Sequence, residues 1–343
     1  MSFGVVVVGA GYWGPNLIRN FMASDEWELR GVCDANVDRA RAVVGKYSTV
    51  PVTGSFDEVI ADPAVDAVAI ATPASTHFPL AKAALEAGKH VLIEKPIAAS
   101  EEEAEILVAM ADERGLTLMC DHTFCYTPAV TKIREIIASG ELGDIQYIDS
   151  VRINLGLIQH DIDVVWDLAP HDLSILDAIL PVNNRPTAVS ALGADPVGAG
   201  QACVAYLSLP LAGGGIAHIH VNWLSPVKIR TMVIGGSRRM LVWDDMSTTQ
   251  RISLYDKGVE LSESMDSEQR SQTLISYRTG EMVAPALQER EALRSMVTEF
   301  ANAIKEKRPP LTDGRAGLRV VQTLNAATKS LKNNGSLITL EGQ

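Results

Sequence analysis

The stretch Phe3-Gly4-Val5-Val6-Val7-Val8-Gly9-Ala10-Gly11-Tyr12-Trp13-Gly14 decides the fold of this chain. An apolar run ends in G-x-G-x-x-G, and a helix-like segment beginning Pro15-Asn16-Leu17 follows. A strand covered on both faces needs such a continuous run, whereas a strand wetted on one face alternates. The glycines differ in what they do. Gly9 permits the tight turn, Gly11 lets a pyrophosphate approach the backbone, and Gly14 allows close helix packing. The second apolar run, Glu28–Cys33, leads into Asp34, 20 residues beyond Gly14. A carboxylate there hydrogen-bonds the adenosine ribose hydroxyls and repels a 2′-phosphate. Neither Ala35 nor Asn36 supplies a cation, so the cofactor read from these residues is NAD rather than NADP.

The same rhythm continues to Asp121. Further strands are predicted at Val50–Thr53, Ala67–Ala71, His90–Ile93 and Leu116–Cys120, with helices between most of them. One helix starts at Ser100, where Ser100 and Glu103 form a capping box and Ile106, Leu107 and Met110 supply the apolar stripe. Ligands of an open parallel sheet bind beyond the carboxyl ends of its strands. Two loops fall there, Ala71-Thr72-Pro73-Ala74-Ser75-Thr76-His77 and Glu94-Lys95-Pro96. A lysine at such a cleft polarises a substrate oxygen or exchanges its proton.

After Asp121 the pattern changes. Pro128 opens a helix through Ile133, Ile136 and Ile137 that Gly140 ends, and Ala217–Trp223 then alternates strictly between apolar and polar residues. That is the signature of an antiparallel sheet with one buried face. Its neighbours are expected at Ile145–Ile153, Ala202–Leu209, Lys228–Ile234 and Met240–Trp243, with His218 and His220 on the face away from the core. Ala286–Lys305 reads as a helix with Leu287, Leu293, Met296, Val297 and Phe300 on its apolar side, and Asp256–Gln272 as a polar surface loop. The predicted class is α/β: an N-terminal Rossmann parallel sheet at residues 1–121, and a C-terminal α/β domain with a large open, mostly antiparallel sheet at residues 122–343.

In Trp166-Asp167-Leu168-Ala169-Pro170-His171-Asp172, Asp167 and His171 stand four apart and share one face of a helix. A carboxylate beside an imidazole fixes its tautomer and stabilises its charged form, the pairing a general base needs. Pro170 must lie in the first turn or mark a distortion. Arg152 and Asn154, on the strand leading toward this site, are candidate substrate contacts.

Composition narrows the function. With 343 residues, 47% apolar and 21% charged, the chain has material for two folded domains and is not disordered. Its net charge of −12 and the lack of a basic run exclude a nucleic-acid or anionic-membrane surface. The charge-free stretch Pro196–Val227 is broken by Gly213-Gly214-Gly215 and does not read as a membrane helix. Cys33, Cys120, Cys125 and Cys203 lack the spacing of a disulfide framework, and no targeting segment precedes the first strand, which points to the cytoplasm. Cys120, His122 and Cys125 cluster without a further convergent ligand, so no metal site is read.

Gly9-Ala10-Gly11-Tyr12-Trp13-Gly14, Ala71-Thr72-Pro73, Glu94-Lys95-Pro96 and Asp167-x-x-x-His171, in this order and spacing, resemble the Gfo/Idh/MocA oxidoreductases, which include glucose-fructose oxidoreductase and inositol dehydrogenase. The resemblance implies a dinucleotide held by Gly9, Gly11, Tyr12, Trp13, Gly14, Asp34, Thr72, Pro73, His77, Glu94, Lys95 and His122. It implies that Lys95, Asp167 and His171 meet at the nicotinamide ring as catalytic and substrate-binding residues, and that the C-terminal sheet pairs subunits into a homodimer or homotetramer. Tyr12–Phe21, His122-Thr123-Phe124 and Trp166–His171 are similar to a branch that handles nucleotide sugars, polysaccharides and antibiotic sugars. The implied activity is NAD-dependent hydride transfer between a secondary hydroxyl of a sugar, above all a nucleotide sugar, or a cyclitol and the nicotinamide. Some related ketoreductases place a tyrosine where His171 stands, so the histidine leans toward alcohol oxidation. The alternatives are an NADPH-dependent keto-sugar reductase and a non-catalytic dinucleotide-sensing protein.

Overall fold

The computed structural model describes residues 2–45, 48–159, 162–261 and 275–340. Contacts group the chain into two compact units. The first is Met1–Val130 with Leu173–Ala178 and Glu289–Asn325; the second is Thr131–Asp172 with Ile179–Gln288 and Ala326–Gln343.

The first unit is built on six parallel strands: β1 (Phe3–Val8), β2 (Trp27–Cys33), β3 (Val52–Thr53), β4 (Ala67–Ile70), β5 (His90–Glu94) and β6 (Leu118–Asp121). Their order is β3-β2-β1-β4-β5-β6, so the direction of winding reverses beside β1 and opens a crevice at its carboxyl end. The helices α1 (Gly14–Met22), α2 (Val37–Val44), α3 (Phe56–Ala61), α4 (His77–Glu86) and α5 (Glu101–Arg114) alternate with the strands. Burial follows the apolar runs: Val5 to Val8, Ala67 to Ile70 and Val91 to Ile93 are all buried. At α5 the Ser100 hydroxyl accepts the Glu103 N–H at 3.2 Å, while the Glu103 carboxylate turns back to the N–H of Ala99, one residue before the reciprocal partner of a capping box.

Helix α6 (Pro128–Ala138) leads into the nine-stranded sheet. Its strands are β7 (Ile145–Leu155), β8 (Ala188–Ala194), β9 (Val204–Pro210), β10 (Ile216–Asn222), β11 (Leu224–Gly236), β12 (Met240–Asp244), β13 (Ile252–Leu261), β14 (Ile275–Val283) and β15 (Ile338–Thr339), in the order β14-β13-β12-β11-β7-β10-β9-β8-β15. Every pairing is antiparallel except β7 with β10, because α7 (Val164–Ile179) and two strands intervene between them. Along β10, Ala217, Ile219 and Val221 are buried, while His218 and His220 point to the other face. There the Tyr206 ring stacks on His220 with centroids 4.3 Å apart and on His218 at 6.0 Å.

Two expectations change. Residues 256–261 continue β13 instead of forming a loop, since Lys257 pairs with Thr279 of β14 and Arg278 reaches Asp256 at 2.7 Å; residues 262–272 of that expected loop lie outside the described residues. The C-terminal helix, α8 (Ala292–Glu306), begins six residues later than Ala286. Glu291 is extended (φ −67°, ψ 129°), and its carboxylate takes hydrogen bonds from Arg19 and Asn20. The apolar side of α8 packs within the first unit: Phe300 stacks on Trp27 at 5.1 Å, and the Trp27 indole donates to the Val297 carbonyl at 2.8 Å. A further helix, α9 (Gly314–Lys332), has no counterpart among the elements expected from the sequence.

Candidate active site

The glycine loop between β1 and α1 has the space that a dinucleotide needs. Gly9 adopts φ +100°, and a Cβ there would lie 2.6 Å from the Ala71 carbonyl; a Cβ on Gly14 would lie 2.0 Å from the Gly9 carbonyl. A Cβ on Gly11 would meet nothing within 4 Å, so backbone faces open space at the one position where a pyrophosphate must approach. These residues therefore fit a dinucleotide. Tyr12 is fully exposed beside them, and the Trp13 indole N–H donates to Asp121 Oδ2 at 2.7 Å.

Asp34 directly follows β2, with its carboxylate buried and occupied. Oδ2 accepts the Ala10 N–H at 2.7 Å, Oδ1 the Asn36 N–H at 2.7 Å, and Arg39 Nη2 reaches the two oxygens at 2.8 and 3.0 Å. Burial pushes the carboxyl up, but the Arg39 guanidinium and the two N–H groups outweigh it, leaving Asp34 below the ordinary carboxylate range. The cation that Ala35 and Asn36 do not supply thus comes from the first turn of α2. An arginine five residues past the strand-ending acid was the available signal for it.

Thr72, Pro73 and His77 follow β4, and Glu94, Lys95 and Pro96 follow or end β5. His77 is buried and straps these two loops together, with Nδ1 2.8 Å from the Pro96 carbonyl and Nε2 2.8 Å from the Thr72 carbonyl. Burial lowers its pKa although both carbonyls oppose the shift. His122, just past β6, is also buried; neither ring nitrogen has a hydrogen-bond partner among the described residues, and burial pushes its pKa down to about 4. The structure therefore gathers every cofactor residue expected from the sequence at the carboxyl edge of one parallel sheet.

Asp167 and His171 belong to the second unit, one helical turn apart on α7. Asp167 Oδ2 accepts the indole N–H of Trp223 at 2.9 Å, and Trp223 is buried at the end of the alternating stretch that contains β10. Pro170 lies in the second turn of α7, where it has no N–H to give the Trp166 carbonyl. Next to His171, Asp172 accepts from Ser150 at 2.9 Å and from Arg152 through Nε at 2.7 Å and Nη2 at 3.1 Å. Arg152 and Asp172 are both almost wholly buried, so this fork ties α7 to β7 and gives Arg152 a structural role. Asn154 lies two residues further along β7, partly exposed. Sequence reasoning does not single out Trp223, Asp172, Arg39 or Asp121, and for the first two only the tertiary fold carries the signal.

Residues 3–122 match the model of an oxidoreductase family with an NAD-binding Rossmann fold, and residues 130–242 match the model of the GFO/IDH/MocA C-terminal domain. This chain belongs to the Gfo/Idh/MocA family. As a Gfo/Idh/MocA protein it is an oxidoreductase. Among its relatives, UDP-N-acetylglucosamine 3-dehydrogenase of Acidithiobacillus ferrooxidans is 32% identical over 316 residues, covering 92% of this chain and 93% of its own. A solved structure of that enzyme matches with a TM-score of 0.81 at 29% identity, covering 98% of this chain and 100% of its own. The dTDP-3,4-didehydro-2,6-dideoxy-alpha-D-glucose 3-reductase of Streptomyces violaceoruber is 36% identical over 126 residues, 37% of this chain and 36% of its own. The Gfo/Idh/MocA likeness to the first of these therefore runs through both sheets.

Proposed function

We propose that this chain oxidises a secondary hydroxyl of a nucleotide sugar, or of a related sugar or cyclitol, with NAD as the acceptor. The observation that carries the reading is Asp167, fixed by the Trp223 indole one turn before His171 on the same helix face. The family resemblance assigns removal of the hydroxyl proton to His171, steadying of the resulting imidazolium to Asp167, and stabilisation of the developing alkoxide to the Lys95 ammonium. General-base help of this kind is worth about 10² to 10⁴ in rate. Gly9, Gly11 and Gly14 would hold the pyrophosphate of NAD and Asp34 its ribose. When bound, NAD supplies the hydride acceptor. The identity with a UDP-N-acetylglucosamine 3-dehydrogenase along most of both chains supports the substrate class. Mixing protein and NAD with a panel of UDP- and dTDP-sugars, free hexoses and inositols tests it through the NADH absorbance band.

Arg39 favours a second reading, reduction of a keto sugar with NADPH, since a guanidinium beside the ribose acid could receive a 2′-phosphate. The partial likeness to a dTDP-keto-sugar reductase agrees with it. Tighter binding of NADPH than of NADH in a fluorescence titration would replace the first reading by this one. For the assembly, the open face bearing Tyr206, Leu192 and Ile216 is the proposed pairing surface of a homodimer or homotetramer. Four buried cysteines outside any disulfide fit a reducing cytoplasm.

A further inference from the structure

Two carboxyls beside Lys95 have no part in the chemistry above. Glu94 ends β5 and Asp121 ends β6, and the parallel register sets them directly opposite each other. The pair is close enough for the charge of Asp121 to act on Glu94, and burial pushes both carboxyls above the ordinary carboxylate range. Two carboxyls facing each other at such a site do not both ionise readily, so one of them holds a proton. The other contacts decide which one. Asp121 accepts from the Trp13 indole at 2.7 Å and from the Thr123 hydroxyl at 2.5 Å, donors that suit a carboxylate. Burial, followed by the negative charge of Asp121, raises Glu94 far above the ordinary range, against the opposing pull of Lys95.

We propose that Glu94 and Asp121 share a single proton carried on Glu94, and that this dyad is a positioning element for Lys95. An ionised Glu94 would sit beside Lys95 in the chain and compete with the substrate oxygen for its ammonium. A protonated Glu94 does not compete. The negative charge of Asp121 keeps the proton on Glu94, and the same carboxylate ties the glycine loop, through Trp13, to the carboxyl ends of β5 and β6. The titratable groups facing Glu94 are Asp121 and Lys95, with the Cys120 thiol near both carboxyls and His122 adjoining Asp121 in the chain. The proposal rests on the role given to Lys95, but the location of the proton does not.

Two measurements on the full chain separate these. In infrared difference spectra of the protein alone near neutral pH, a carboxylic-acid carbonyl band is expected that vanishes in Glu94→Gln; its absence from the unsubstituted protein overturns the dyad whatever the enzyme's activity. In the pH profile of kcat/KM, Asp121→Asn is expected to let Glu94 ionise. The optimum then moves to lower pH and the rate at neutral pH falls by about tenfold. Adding Glu94→Gln to Asp121→Asn removes the shift of the optimum, because glutamine cannot ionise. An Asp121→Asn profile of unchanged shape, or a double variant as acid-shifted as the single one, contradicts the positioning role. Near-ultraviolet circular dichroism of each variant confirms that it is folded.

Discussion

Trp223 donates its indole N–H to Asp167 Oδ2 at 2.9 Å, across 56 residues of sequence. The bond joins the end of a sheet strand to the carboxylate that is proposed to orient His171, so the position of the base depends on the sheet as well as on its own helix. Loss of a hydrogen bond to a charged group costs about 1.5 kcal/mol, which is about tenfold in rate. Trp223→Phe is therefore expected to lower kcat by about tenfold while the affinity for NAD, read by fluorescence, stays nearly unchanged. A parallel loss of NAD affinity would show that Trp223 supports the fold rather than the base.

Asp34 and Arg39 set the cofactor choice between them. Asp34→Ser releases the guanidinium and removes the negative charge, so NADP binding is expected to tighten by about tenfold or more while NAD binding weakens. Arg39→Ala in the same background is expected to abolish the gain. Titration of both cofactors into the three proteins reads the result directly, and unchanged NADP affinity in Asp34→Ser would assign ribose recognition to other residues.

His122 makes stability depend on pH. Its pKa is about 4 when folded against an ordinary 6.5, so the unfolded chain binds a proton that the folded chain does not, and stability falls as pH drops from 6.5 to about 4. The contribution is about 3 kcal/mol across that window. Asp34 acts in a lower window, because its folded pKa lies below the ordinary 3.8 and its stabilisation is lost only as pH falls past that value. Urea unfolding of His122→Gln is expected to show a flatter pH dependence above pH 4 than the unsubstituted protein. Equal slopes would mean that His122 titrates normally.

Much of the first unit is legible in local sequence. Val5 to Val8, Ala67 to Ile70 and Val91 to Ile93 are apolar without interruption because helices cover both faces of their sheet, and the glycines and Asp34 follow from their spacing. The alternation at β10 is equally local. Partnership is not: the apolar stripe of α8 announces a buried face, but only the tertiary fold puts Phe300 on Trp27, 273 residues away. Asp256 to Leu261 read as loop because that segment is polar, yet it pairs with β14 at one end of the large sheet. At the site, Asp167 and His171 are legible as a helical pair, whereas the bond of Trp223 to Asp167 comes from tertiary packing and the facing of Glu94 by Asp121 from strand register.

The central claim is oxidation of a sugar hydroxyl by NAD with His171 as base. It is tested most directly by following the NADH absorbance band as protein and NAD are mixed with UDP- and dTDP-sugars, hexoses and inositols, for the unsubstituted chain and for His171→Ala. The account predicts NADH formation with at least one nucleotide sugar, a loss of about 10² or more in rate for His171→Ala, and little change in that variant's NAD affinity. No NADH with any member of the panel, or an equal loss of rate and NAD affinity in His171→Ala, would contradict it.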